Sequence, residues 1–127
     1  MLSKLYTLFL DILSPRRVKG QIDLRILIYR EEGNWVAHCL ELDIVGAGGT
    51  PEKAFNLMSE LVEDHISFCF ENKIEDKLFN PAPPEYWYRW LKSIPYRIPE
   101  YHPLPQTIRR LECGLIEEDY LVSSSAR

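Results

Sequence analysis

The sequence predicts an α+β domain: a small antiparallel sheet packed on one long helix, with an amino-terminal helix before it and an irregular extension after it. Three observations predict this. Residues 24–45 alternate in the two-residue period of strands, residues 51–72 carry apolar side chains at helical spacing, and seven of the nine prolines crowd into residues 81–105. The chain has 127 residues, a length that suits one domain, and its 46% hydrophobic content excludes disorder throughout. Its 15 basic and 19 acidic residues argue against a protein held to nucleic acid by global charge. The three cysteines close no disulfide framework and have no metal-site spacing, which points to a reducing, cytoplasmic compartment.

Charge and proline divide the chain into segments 1–20, 21–79 and 80–127. The first holds four bases and one acid, the second twelve acids and five bases, and the third six of each. The middle segment therefore carries a local net charge near −7, which favours a basic partner.

In the first segment, Leu2, Leu5, Tyr6, Phe9, Ile12 and Leu13 recur at helical spacing, which predicts an amphipathic helix from Ser3 to Leu13. Ser14-Pro15 ends it, because proline disfavours helical backbone in the residue before it. The apolar run is short, is interrupted by Asp11 and has no small-residue cleavage site, so it reads neither as a signal peptide nor as a membrane span. A helix packed on the domain is the expectation.

In the middle segment, Leu24, Ile26 and Ile28 alternate with Arg25, Leu27 and Tyr29. Glu31-Glu32-Gly33-Asn34 is a turn, and Trp35 to Val45 resumes the extended pattern, so the pair reads as a hairpin. Uninterrupted alternation would point Val36, His38, Leu40, Leu42 and Ile44 one way, and Trp35, Ala37, Cys39, Glu41 and Asp43 the other. Gly46-Ala47-Gly48-Gly49 matches no phosphate-binding loop in spacing and reads as a flexible strand-to-helix turn. Thr50 is then an N-cap, Pro51 suits the first helical position, and Glu52 meets the positive end of the helix dipole. Through about Asn72, Ala54, Phe55, Met58, Leu61, Val62, His65, Ile66 and Cys69 form the inward stripe, with Glu60, Glu63, Asp64 and Glu71 largely outside it.

The stretch WVAHCLELDIVGAGGTPEKA resembles the HicB-type antitoxin domain. That family's pattern is an aromatic-x-Ala strand, Glu-Leu, and a Gly-Asp-Thr-x-Glu-Glu-Ala helix start. Trp35, Ala37, Glu41, Leu42, Gly48, Thr50, Glu52 and Ala54 stand in the matching positions, while Gly49 and Lys53 replace the usual acids. The resemblance covers residues 22–70, about 50 of the 127. It implies a β-β-β-α-β fold similar to a truncated ribonuclease H core without its active site. It also implies a partner, a small basic ribonuclease toxin of the HicA type, which such antitoxins cover at its active site.

Many HicB-like proteins also carry a carboxy-terminal DNA-binding segment. Here Asn80 to Pro84 breaks the chain, Glu85 to Ile94 permits one short helix with Trp87, Trp90, Leu91 and Ile94 on one face, and prolines 95, 99, 103 and 105 forbid a second long one. An extended stretch around Arg109 to Leu115 follows. DNA binding is therefore not expected.

Catalysis is not expected either. His38 and Cys39 point to opposite faces of a strand and cannot share a metal ion; Glu41, Asp43 and Asp23 are too few for a two-metal site. His65 and Cys69 share a helix face but lack a third partner. The expectation is a protein-binding module without cofactor, metal or catalytic residues, whose partner surface is formed by Trp35, Glu41, Asp43, Glu60, Glu63 and Asp64. The alternative is a structural homo-oligomer without a toxin partner.

Overall fold

The computed structural model describes residues 22–98 and 107–116. The amino-terminal helix expected over Ser3–Leu13 and the acidic group Glu117-Glu118-Asp119 lie outside them. The element order is β1 (Ile22–Glu31), β2 (Asn34–Cys39), β3 (Ile44–Gly48), α1 (Pro51–Glu71), a 3₁₀ turn (Glu75–Lys77), α2 (Pro84–Lys92), β4 (Ile94–Pro95) and β5 (Ile108–Leu115).

The hairpin forms where alternation predicts it. Glu31 pairs with Asn34, and both residues between them have positive φ, Glu32 at 52° and Gly33 at 83°. This is the geometry of a type I′ turn, whose twist matches that of the strands it joins. The single extended stretch expected over Trp35–Val45 is instead two strands. β2 ends at Cys39, Leu40 to Asp43 turn, and Asp43 adopts a left-handed φ of 53° that aspartate tolerates better than most residues. The turn resets the alternation: Leu42 and Ile44 join the core on the side of Trp35, not that of Val36.

Gly46 to Gly48, expected as a flexible turn, is the body of β3, paired with Val36 and its neighbours from Trp35↔Gly48 to Cys39↔Ile44. Glycine is required there by proximity. A Cβ on Gly46 would lie 2.6 Å from the Ala54 carbonyl oxygen and 2.9 Å from Met58 Cα, both backbone atoms of α1. The helix thus crosses β3 at near backbone contact.

The α1 start follows its cap: Thr50 Oγ1 accepts from the Lys53 backbone N–H at 3.1 Å, and Pro51 opens the helix. At the other end Asn72 donates to the Phe68 carbonyl from its side-chain amide at 2.8 Å.

The sheet has five strands in the order β3-β2-β1-β5-β4. It is mixed, which corrects the antiparallel expectation: β5 lies parallel to β1, from Asp23↔Arg110 to Ile28↔Leu115. The extension beyond residue 80 is also less irregular than expected, since β5 inserts beside the central strand, and the sheet draws strands from both sides of residue 80. α1 covers one face, its Phe55, Met58, Val62 and Ile66 packing with Ile22, Leu24, Ile26 and Ile28 of β1. α2 covers part of the other, where Trp87 and Trp90 pack with Leu27, Tyr29 and Leu40. Residues 80–82 carry the chain between the layers, with the Asn80 and Ala82 N–H groups donating to the Glu41 and Leu40 carbonyls at 3.0 and 2.8 Å.

Two glycine substitutions separate proximity from flexibility. Gly46→Ala is expected to cost about 1–3 kcal/mol of stability, because two backbones must part. Gly49→Ala, with nothing within 4 Å of the added carbon, is expected to stay within about 0.5 kcal/mol. Urea unfolding midpoints check both; equal effects would contradict the close crossing.

Candidate functional site

The six residues expected at the partner surface separate into three places. Trp35 is in the core, 4% exposed among the residues that face α1, and the Arg30 guanidinium lies 5.4 Å from its ring centroid. It offers no outer contact in this fold. Alternation suggested a surface position because the strand was assumed to be wetted on one face, whereas β2 is buried on both.

Glu41 is also inside. Its Oε1 accepts from the Arg25 backbone N–H at 2.7 Å and its Oε2 from Arg25 Nη1 at 2.5 Å. The carboxyl group clamps the turn after β2 to the middle of β1. Burial raises its pKa to about 7, outweighing the pull of Arg25 toward the charged form. Asp23 is committed in the same way: Arg109 of β5 donates to its two oxygens at 3.0 and 2.7 Å. Of the three acids weighed for a two-metal site, Asp23 and Glu41 are therefore tied to arginine.

Asp43 is outside, on the sheet face opposite α1. Its Oδ1 lies 2.7 Å from His38 Nε2, and His38 Nδ1 lies 3.1 Å from the Tyr29 hydroxyl. The Tyr86 ring meets the imidazole edge-on at 4.6 Å. Burial holds His38 below its ordinary pKa despite the adjacent carboxylate, which favours the neutral ring. The consistent assignment has Nε2–H donating to Asp43 and the Tyr29 O–H donating to Nδ1. With both nitrogens taken by protein groups, the ring is not open to a metal or to a substrate proton. Burial also raises the Tyr29 pKa, which leaves the hydroxyl a poor nucleophile.

These groups line a cleft of about 520 Å³. Val36 of β2 and Val45 and Ala47 of β3 form its apolar part.

Glu60, Glu63 and Asp64 lie on α1, Glu60 and Asp64 exposed and Glu63 half-buried. Sequence reasoning missed their neighbours. Leu61, expected in the inward stripe, is 41% exposed, as are Leu57 (42%) and Phe68 (59%). Leu57, Leu61, Asp64, Phe68 and Glu71 recur at intervals of four and three, so they share the outer side of the helix. That spacing was the available signal: Leu61 was assigned to the inward stripe, and Leu57 and Phe68 to neither side.

The remaining chemical candidates are structural. His65 Nε2 donates to the Leu78 carbonyl at 2.9 Å, and burial raises the Cys69 thiol beside it. All three cysteines are free, and burial pushes Cys113 up to about 12. Among the described residues no three His, Cys, Asp or Glu side chains converge as a metal site, and no helix is long and apolar enough to cross a membrane. No protein-family model, curated protein or solved structure matches this chain.

The Glu41 clamp has a signed pH dependence. A carboxyl group whose folded pKa is raised contributes stability fully below its unfolded value of 4.5, and that contribution is lost as pH rises through about 7. The stability deficit of Glu41→Gln relative to the parent chain is therefore expected to shrink between pH 4.5 and 7.5 in urea titrations. A deficit that grows with pH would mean that Arg25 outweighs burial.

Proposed function

We propose that this chain is a non-catalytic protein-binding module, similar to the HicB-type antitoxins, that takes a small basic protein against the outer face of α1. The observation that carries the proposal is the row of Leu57, Leu61 and Phe68, each more than 40% exposed, interleaved with Glu60, Asp64 and Glu71. Large apolar groups in water beside carboxylates combine what a binding surface needs: desolvation for affinity, and negative charge to steer a basic partner into register. Phe68 and Leu61 take the anchoring role first expected of Trp35. The strand order leading to a Thr50-capped helix is compatible with a HicB-like core, and a HicA-type ribonuclease has the charge that this face requires.

The experiment pairs the chain with the product of the reading frame adjacent to its own. Tight one-to-one binding that suppresses that product's ribonuclease activity is expected. Leu61→Ala with Phe68→Ala should weaken binding at least tenfold, and Glu60→Lys with Asp64→Lys should slow association and flatten its salt dependence. Both pairs lie outside the core, so urea midpoints should stay near that of the parent chain. No binding, or binding indifferent to Leu61 and Phe68, overturns the proposal.

A second reading, a structural homo-oligomer, is favoured by β3. Among the described residues this border strand pairs only with β2, and its Val45 is 48% exposed. Light scattering of the isolated chain and of a Val45→Lys variant tests it: a dimer abolished by the substitution supports it, and a monomeric parent chain excludes it.

A further inference from the structure

We infer that the cleft on the sheet face opposite α1 is a binding site for a guanidinium group, as presented by an arginine side chain. This site is separate from the α1 surface and stands independently of the antitoxin-like reading.

Three features carry the inference together. The first is charge. Glu31, Glu32 and Asp43 line the cleft, and no lysine or arginine does. The three carboxylates face one guanidinium of the chain itself, that of Arg89 over the Tyr29 ring, so a second cation complements the excess negative charge.

The second is how Asp43 is held. Its backbone sits in the left-handed region and its Oδ1 is fixed 2.7 Å from His38 Nε2, while the imidazole is itself held by Tyr29 and 2% exposed. The carboxylate is thus oriented from below by a buried ring, yet 35% of its side chain remains accessible. A carboxylate pre-positioned in this way loses little conformational freedom when it meets a donor.

The third is the aromatic wall. Tyr86 lines the cleft and packs edge-on against His38, with the Tyr29 ring centroid 6.0 Å away. Arg89 of α2 lies 4.4 Å from the Tyr29 ring centroid, so one ring of this aromatic group already takes a guanidinium. A planar guanidinium can lie on an aromatic face and reach a carboxylate with two parallel N–H groups, which a compact ammonium cannot do. Val36, Val45 and Ala47 form an apolar floor suited to the methylene stem of the same side chain.

The test uses N-acetyl-arginine amide as probe, followed through the backbone and aromatic resonances of the full chain. Saturable shifts are expected at His38, Asp43 and Tyr86. N-acetyl-lysine amide should bind about tenfold more weakly. The citrulline analogue, which keeps the shape and three of the five N–H donors but has no charge, should give no saturable shift. Glu31→Gln with Glu32→Gln, two exposed turn residues, should weaken the arginine probe severalfold with an unchanged urea midpoint. Tyr86→Leu should weaken it further. Equal shifts from citrulline, shifts confined to α1, or no shift from the arginine probe would each overturn the site. Leu61→Ala with Phe68→Ala should leave the probe's affinity unchanged, which separates this site from the α1 surface.

Discussion

β1 is buried on both faces and hydrogen-bonded on both edges, and the rest of the structure is arranged around that constraint. Its Ile22, Leu24, Ile26 and Ile28 face α1, while Leu27 and Tyr29 face α2. A strand in this position has no surface on which to leave a charge, so its two charged residues before the hairpin must be paired where they stand. Asp23 is paired with Arg109, which ties in β5; Arg25 is paired with Glu41, which ties down the turn between β2 and β3. Each ion pair therefore also joins a neighbouring segment to the central strand.

The positions of the two candidate surfaces follow from that arrangement. Because Glu41 clamps its turn, Asp43 emerges at a fixed place on the far face, within reach of His38. Because α1 uses one side for the core, its other side is left to solvent with Leu57, Leu61 and Phe68 among carboxylates. The two surfaces lie on opposite sides of the sheet, so occupancy of one does not block the other. Both are acidic and both combine charge with apolar or aromatic contact, but only the cleft has a buried ring positioning its carboxylate.

Much of this was legible in the amino-acid order. The hairpin turn, the Thr50 cap and the extent of α1 follow from local chemistry, and local chemistry is what a sequence pattern reports. The missed features are non-local. Gly46 reads as flexible in isolation, and only the approach of the Ala54 carbonyl shows that its role is to be small. β5 carries three charges in eight residues, and its seat beside β1 brings Arg109 to Asp23, 86 residues earlier. Trp35 and Glu41 were placed outside because alternation implies one wet face, an assumption that fails once both faces are covered. Asp43 was recognised as a candidate, yet its relation to His38 required the left-handed turn that alternation does not encode.

Native-state amide hydrogen exchange on the isolated chain tests the central claim most directly. If β1 is the shared element of both layers, the amides of Leu24 to Ile28 should exchange only through global unfolding, with a free energy equal to that from urea titration. The outer-face amides of α1 and those of α2 should open at lower cost. Exchange of the β1 amides through a cheaper, partial opening, with α1 as the last element to open, would contradict the account.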